Sequence, residues 1–244
     1  MRTYLLLTYS DLLGESILLF LTFAGAVVTA LITGIAFHEF AHAFSAMKLG
    51  DNTARMMGRV SLNPLRHLDP TGTFFMLIAG FGWGKPTPVN PNRLRYGPTT
   101  GRAIVAAAGP VSNVILAVLA AIPIQLGLVD WWSPFLVPFS VASWEFVDYA
   151  GLFLSAIIVF NVVLCVFNLL PISPLDGFAV AVGILPRDLS LTIARLEPYG
   201  PMILMILLVL PFVSAGQISL LHTIMSPFID GLTWIIVGHK DVIG

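Results

Sequence analysis

An apolar block from about Ser16 to Met47 constrains this chain most, because three ionisable side chains lie near its end, in His38-Glu39-Phe40-Ala41-His42. A helix needs about 20 residues to cross the hydrocarbon core of a bilayer, and this block is longer than that. With about 3.6 residues per turn, positions four apart project from nearly the same face, so His38 and His42 are placed to grip one metal ion. Glu39 is rotated by about 100° from His38, beside the metal rather than on it, where a general base belongs. Ionisable groups deep in a bilayer cost about 2.5–3.5 kcal/mol each on insertion scales. Three so close together require a metal, a partner or water to offset that cost. The pattern points to zinc-dependent hydrolysis at a site within the membrane.

The composition agrees. Of 244 residues, 57% are hydrophobic and 10% charged, whereas soluble domains carry about 25% charged residues. The chain reads as an integral membrane protein with the lipid bilayer as its surroundings. No basic run or aromatic–basic alternation marks a nucleic-acid surface, so no nucleic acid is expected as a partner. Cys165 is the only cysteine, which leaves no internal disulfide and no cysteine-based zinc site. The N-terminus lacks the basic region and small-residue cleavage site of a signal peptide, so the first hydrophobic helix is expected to be kept. No polar segment is long enough for a separate soluble domain.

Further apolar blocks follow at about Thr71–Trp83, Arg102–Leu128, Phe146–Leu170, Tyr199–Val213 and Ile218–Val237, the last interrupted by Pro227 and Asp230. They predict an all-α polytopic membrane protein, a bundle of about 4–6 transmembrane helices with a short extended or re-entrant loop. The second block is short and basic on both flanks, which favours a re-entrant or shielded hairpin over a true crossing. Lys48, Arg55, Arg59, Arg66, Lys85, Arg93, Arg95 and Arg102 fall between the first and third blocks, and Arg187 and Arg195 follow the fourth. The stretch from Asp130 to Asp148 has no Lys or Arg. The positive-inside rule then places residues 48–102 and 178–198 in the cytoplasm and 130–145 outside. The first and fourth blocks both run toward the cytoplasm, so the histidine motif and the Asp176 region arrive at one depth. Gly84 to Pro98 holds four prolines. Proline at that density excludes helix and permits an extended loop, which at membrane depth must be buried in protein or line a wet cavity.

A catalytic zinc takes three protein ligands and keeps one position open. The third ligand here must come from Asp176, His67, Asp69, His222 or Asp230. Asp176 fits best: it lies in Pro174-Leu175-Asp176-Gly177, where proline and glycine open the chain and let a carboxylate turn inward. Taken alone, this residue would read as a capping or turn aspartate. Asn168, eight residues earlier, is a buried amide that must be hydrogen-bonded; donation to a substrate carbonyl or oxyanion and bracing between helices are both open to it. Asn113, in Ala108-Gly109-Pro110-Val111-Ser112-Asn113, poses the same choice, with Gly109 allowing close helix approach. Asn161 reads as structural and His67 as a loop residue, with His222 in reserve as a ligand. Two rivals remain at this point: a membrane metalloprotease with Glu as third ligand, and a non-catalytic metal-binding protein or transporter.

The ordered motifs narrow the choice. The His38–His42 helix, Asn168, Leu175-Asp176-Gly177, Gly58-Arg59-Val60-Ser61-Leu62-Asn63-Pro64, Asp69-Pro70-Thr71-Gly72-Thr73, Lys85–Pro91 and Ala108-Gly109-Pro110 through Asn113 resemble the site-2 protease family of intramembrane zinc metalloproteases. The likeness covers about Leu31 to Gly200 and is closest to the compact prokaryotic branch without PDZ or CBS domains. It implies a single intramembrane metalloprotease domain over residues 1–244, with one Zn2+ per chain on His38, His42 and Asp176. It further implies Glu39 as the base that activates water, with Asn168 and Asn113 binding substrate. The extended loop would offer an edge to an unwound substrate segment, and the substrates would be single-span membrane proteins of a prokaryotic cell membrane, cut near its cytoplasmic side. Ser173 and Phe178 depart from the family's usual residues, which touches the expected substrate contacts and leaves the metal ligands intact.

Overall fold

The computed structural model describes residues 16–72, 84–135 and 143–238. The first apolar block forms helix α1, Ile17–Lys48, whose first turn is capped by the Ser16 hydroxyl accepting from the Leu19 amide at 3.4 Å. Lys48 complements the negative end of the helix, and Gly50, at φ +106, turns the chain away. Thirty-two residues make α1, about 48 Å at helical rise and well beyond a core of about 30 Å. A short α2, Thr53–Met56, leads into loops carrying His67 and the proline-rich stretch. Helix α3, Pro98–Gln125, starts with proline in its first turn, where no amide partner is lost, and contains Pro110 and Pro123. Helix α4, Phe146–Asn168, opens with the Glu145 amide donating to Asp148 Oδ2 at 2.8 Å. Then come α5, Asp176–Ile184, α6, Arg187–Ala194, α7, Gly200–Val213, and α8, Leu220–Val237.

Among the described residues, five stretches are long and apolar enough to cross a membrane: 17–48, 98–125, 146–168, 187–213 and 220–237. The chain is an all-α polytopic membrane protein, as the sequence predicts. One stretch is not a continuous helix. A 3-10 turn at Glu197–Tyr199 separates α6 from α7, and the 14 residues of α7 reach only about 21 Å. No strand is formed among the described residues; an isolated bridge joins Leu68 to Gly84. Residues 84–90 are extended, as their prolines require. The re-entrant hairpin expected at Thr71–Trp83 falls almost wholly on 73–83, outside the described residues.

The centre of the bundle is the mutual packing of α1, α3 and α4, with α5 laid against α3. Small side chains make the approach close: Ala26, Ala30 and Ala156 are fully buried in one cluster with Leu19, Phe23 and Leu152. Ala117 and Ala121 play that part in a second cluster with Ile158, Val162 and Ile229. Apolar side chains are no worse off in lipid than in a protein core, so close packing of small residues is what holds such helices together. Large apolar residues such as Ile115, Leu119, Met205 and Ile206 stay exposed on the outer faces, as a lipid-facing surface requires.

Candidate active site

His38 and His42 lie one turn apart on the buried face of α1, each 8% exposed. Their rings meet nearly at right angles, 4.6 Å between centroids. Each ring is held from behind through Nδ1. His38 Nδ1 is 2.8 Å from Asn113 Oδ1 and His42 Nδ1 is 2.8 Å from the Val105 carbonyl, both partners on α3. A carbonyl oxygen only accepts, so both rings carry a proton on Nδ1, which leaves each Nε2 to bind a metal or, where no metal is held, to take a second proton.

What they face is Asp176, brought from the far side of the bundle. Helix α4 ends at Asn168, the chain turns through 169–175, and α5 begins on Asp176 itself. The turn works because residue 177 is glycine: a Cβ there would stand 2.1 Å from the Leu169 carbonyl oxygen. Asp176 Oδ2 lies 2.9 Å from His38 Nε2 and 3.2 Å from His42 Nε2. It is buried, and among the described residues the two rings are its only polar neighbours within pairing distance. Three lone-pair donors thus converge, all within 4.8 Å of one another. Such an arrangement suits a positive charge between its members, whether a metal ion or, without one, a proton. Tetrahedral zinc with ligand bonds of about 2.0–2.2 Å sets neighbouring ligands about 3.3 Å apart, close to the spacings found, so these residues fit the metal.

Gly109 completes the cradle. A Cβ on it would lie 2.6 Å from His38 Nε2 and 2.6 Å from His42 Cε1. The close approach expected of Gly109 from sequence is therefore an approach to the histidine rings themselves.

Glu39 is half-buried and stands apart from the triad. Its Oε2 accepts from the Thr87 hydroxyl at 2.7 Å, and the same hydroxyl lies 3.2 Å from its backbone oxygen. Thr87 belongs to the extended stretch, which is fastened at three further points. Lys85 N donates to the His67 carbonyl at 2.6 Å, Asn90 N to Asp51 Oδ2 at 2.6 Å, and Arg95 N to the Leu49 carbonyl at 2.8 Å. Burial alone would raise the Asp51 pKa, but hydrogen bonds from Thr53 and Asn90, with Arg93 nearby, hold it below the ordinary value. The clamp is therefore ionised at neutral pH.

The other candidates lie elsewhere. Asn113 is fully buried, its oxygen on His38 and its amide nitrogen 3.2 Å from the Gly34 carbonyl and 3.0 Å from Asn161 Oδ1. Asn168 is half-buried and donates to its own helix, at the Leu164 carbonyl, 2.9 Å away. His67 is fully buried with Nε2 2.6 Å from the Ser61 carbonyl, and neither it, Asp69, His222 nor Asp230 joins the triad among the described residues. Sequence reasoning missed Thr87, and only its place in an extended segment hinted at a role.

The model of peptidase family M50 matches residues 26–210 of this chain, which contain every residue of the site. The chain belongs to peptidase family M50. This is the site-2 protease family that the motifs resemble. A Bacillus subtilis protein named "Putative zinc metalloprotease YwhC" is 37% identical over 210 residues, 83% of this chain and 92% of its own length. Two relatives bear the same description under the name Rip2. That of Mycolicibacterium smegmatis is 29% identical over 80% of this chain and 71% of its own length. That of Mycobacterium tuberculosis H37Rv is 30% identical over 78% of this chain and 70% of its own length. No solved structure matches the chain at the significance of these relatives.

Proposed function

We propose that this M50 peptidase is an intramembrane zinc metalloprotease that cuts peptide bonds in or near the transmembrane segments of single-span membrane proteins. The convergence of both Nε2 atoms on the Asp176 carboxylate, at 2.9 and 3.2 Å, carries this reading. His38, His42 and Asp176 would hold one zinc, which when bound lowers the pKa of a coordinated water toward neutrality and polarises a carbonyl. Glu39 takes the proton from the attacking water on a carboxylate oxygen and returns it to the leaving amide nitrogen. Thr87 holds that carboxylate by its Oε2.

Substrate reaches the base along the same segment. A helix hides its carbonyls in its own hydrogen bonds, so the scissile stretch must unwind, and pairing with the extended residues 85–90 replaces the bonds it loses. Asn168, at the end of α4, contributes to substrate binding. Asn113 acts through His38 rather than on substrate, since its amide is spent on three protein partners. The basic loops flanking α1 and α3 set the site toward the cytoplasmic side, and the bacterial relatives favour a prokaryotic cell membrane.

The purified protein in detergent is expected to carry one zinc per chain and to cleave a single-span model substrate. A strong chelator should stop cleavage, and zinc at stoichiometric amounts should restore it. Cleavage that survives complete loss of metal would reject the reading. A second consequence concerns the cradle. Gly109→Ala forces a methyl group into both imidazoles, so either the rings or α3 must move. Overpacking of this kind costs about 1–3 kcal/mol. The thermal midpoint should fall, and zinc should bind at least about tenfold more weakly, the lower end of what disturbed metal-site support costs. An unchanged zinc affinity would mean that the rings do not sit against residue 109.

A further inference from the structure

One buried polar cluster is left unexplained by the chemistry above, an amide pair at the junction of α1, α3 and α4. Asn113 and Asn161 are both fully buried in otherwise apolar packing. Asn161 Nδ2 donates to the Ile157 carbonyl one turn back in α4, at 2.9 Å. Its Oδ1 accepts from Asn113 Nδ2 at 3.0 Å, and Asn113 Nδ2 also reaches the Gly34 carbonyl at 3.2 Å. Asn113 Oδ1 then accepts from His38 Nδ1 at 2.8 Å. Space for the pair exists because residue 34 is glycine: a Cβ there would lie 3.0 Å from Asn161 Oδ1 and 3.4 Å from Asn113 Nδ2. Gly34 stands one turn before His38, as Gly109 stands one turn before Asn113.

The direction of this chain of bonds is the point. An asparagine amide has almost the same shape when its oxygen and nitrogen are exchanged. An exchanged Asn113 would offer an N–H to His38 Nδ1, which would then lose its proton to Nε2, where the metal must bind. Two backbone carbonyls, Gly34 and Ile157, accept only, and they leave each amide one orientation. We infer that Asn161 is a positioning residue for the metal site: by accepting from Asn113 it fixes the Asn113 amide, which in turn keeps the His38 Nε2 lone pair aimed at the metal. This rests on the zinc reading above and extends it to a residue about two bonds removed from the ligand shell. Groups that hold a metal-bound histidine by its other nitrogen change metal affinity by about 10–100-fold when removed.

The test is the zinc dissociation constant, by competition with a chromophoric chelator on purified protein, so that no activity is needed. Asn161→Leu should weaken zinc about tenfold, near the low end of that range, and Asn113→Leu by the same or more. Asn161→Asp keeps an oxygen for Asn113 in either protonation state and should bind zinc within about twofold of the parent. The double variant Asn113→Leu/Asn161→Leu should be no weaker than Asn113→Leu alone, because the two residues act through one contact. Asn161→Ala makes the same test without overpacking if the leucine variant does not fold. Parental affinity in Asn161→Leu or Asn161→Ala, an equal loss in Asn161→Asp, or losses that multiply in the double variant would each overturn the inference while zinc binding by the parent stands. A parent protein that takes up no zinc would instead remove the metal reading, and this one with it.

Discussion

Glu39→Gln is expected to lower the cleavage rate about 10²–10⁴-fold, the range general acid–base groups contribute, while zinc stays at one per chain. The substitution removes proton uptake and little else. A glutamine oxygen still accepts from the Thr87 hydroxyl, so the tie between α1 and the extended stretch, now 2.7 Å at Glu39 Oε2, is kept. The three converging ligand atoms belong to other side chains, and Glu39 stands outside their group. Loss of activity with full zinc content therefore isolates the base, which a loss caused by a displaced loop or an empty site does not. The measurement is substrate cleavage by the purified variant beside metal analysis of the same sample. Cleavage at the parental rate would exclude Glu39 as the base and leave the metal site untouched.

Most of what places this site is written in short-range pattern. The block read as Ser16–Met47 is α1 at Ile17–Lys48, and that read as Phe146–Leu170 is α4 at Phe146–Asn168. Long runs of apolar residues leave a chain in lipid few choices, because each backbone group must be satisfied within its own helix. Asp176 was legible as a carboxylate released at a helix break, and the break is there between Asn168 and Asp176. Which atom faces which was not legible. The Asn113 oxygen lies on His38, 75 positions away in sequence. Its direction depends on the carbonyls of Gly34 and Ile157, on two further helices. Residue types do not encode such a choice; it emerges when three helices settle at one spacing. Thr87 was missed for the same reason, since its hydroxyl meets Glu39 only where Asp51, His67 and Leu49 fasten the segment on which it sits. The block read from Tyr199 to Val213 is α7 at Gly200–Val213, set off from α6 by the turn at Glu197–Tyr199.

Asp176→Ala should show most clearly in how the protein responds to zinc, and that makes it the sharper test of the metal centre. With the carboxylate gone, zinc keeps two imidazoles in place of three protein ligands, and bound metal should fall well below one per chain after dialysis against a mild chelator. Cleavage should be lost with it. In the metal-free protein Asp176 Oδ2 is buried 2.9 and 3.2 Å from the two Nε2 atoms, where a ring that takes a second proton donates to it. Removing one partner of a buried pair is destabilising, so the metal-free variant should be less stable than the metal-free parent. Added zinc should raise the unfolding midpoint of the parent strongly, because a ligand that binds only the folded state stabilises it in proportion to RT ln(1 + [L]/Kd). The variant should respond weakly. His67→Ala serves as the control: the His67 ring is engaged with the Ser61 carbonyl, outside the triad, and its loss should leave the zinc response intact. Full zinc uptake by Asp176→Ala, with a parental rise in midpoint, would mean that the two histidines find their third partner elsewhere, and Asp176 would be left as the first residue of α5 and nothing more.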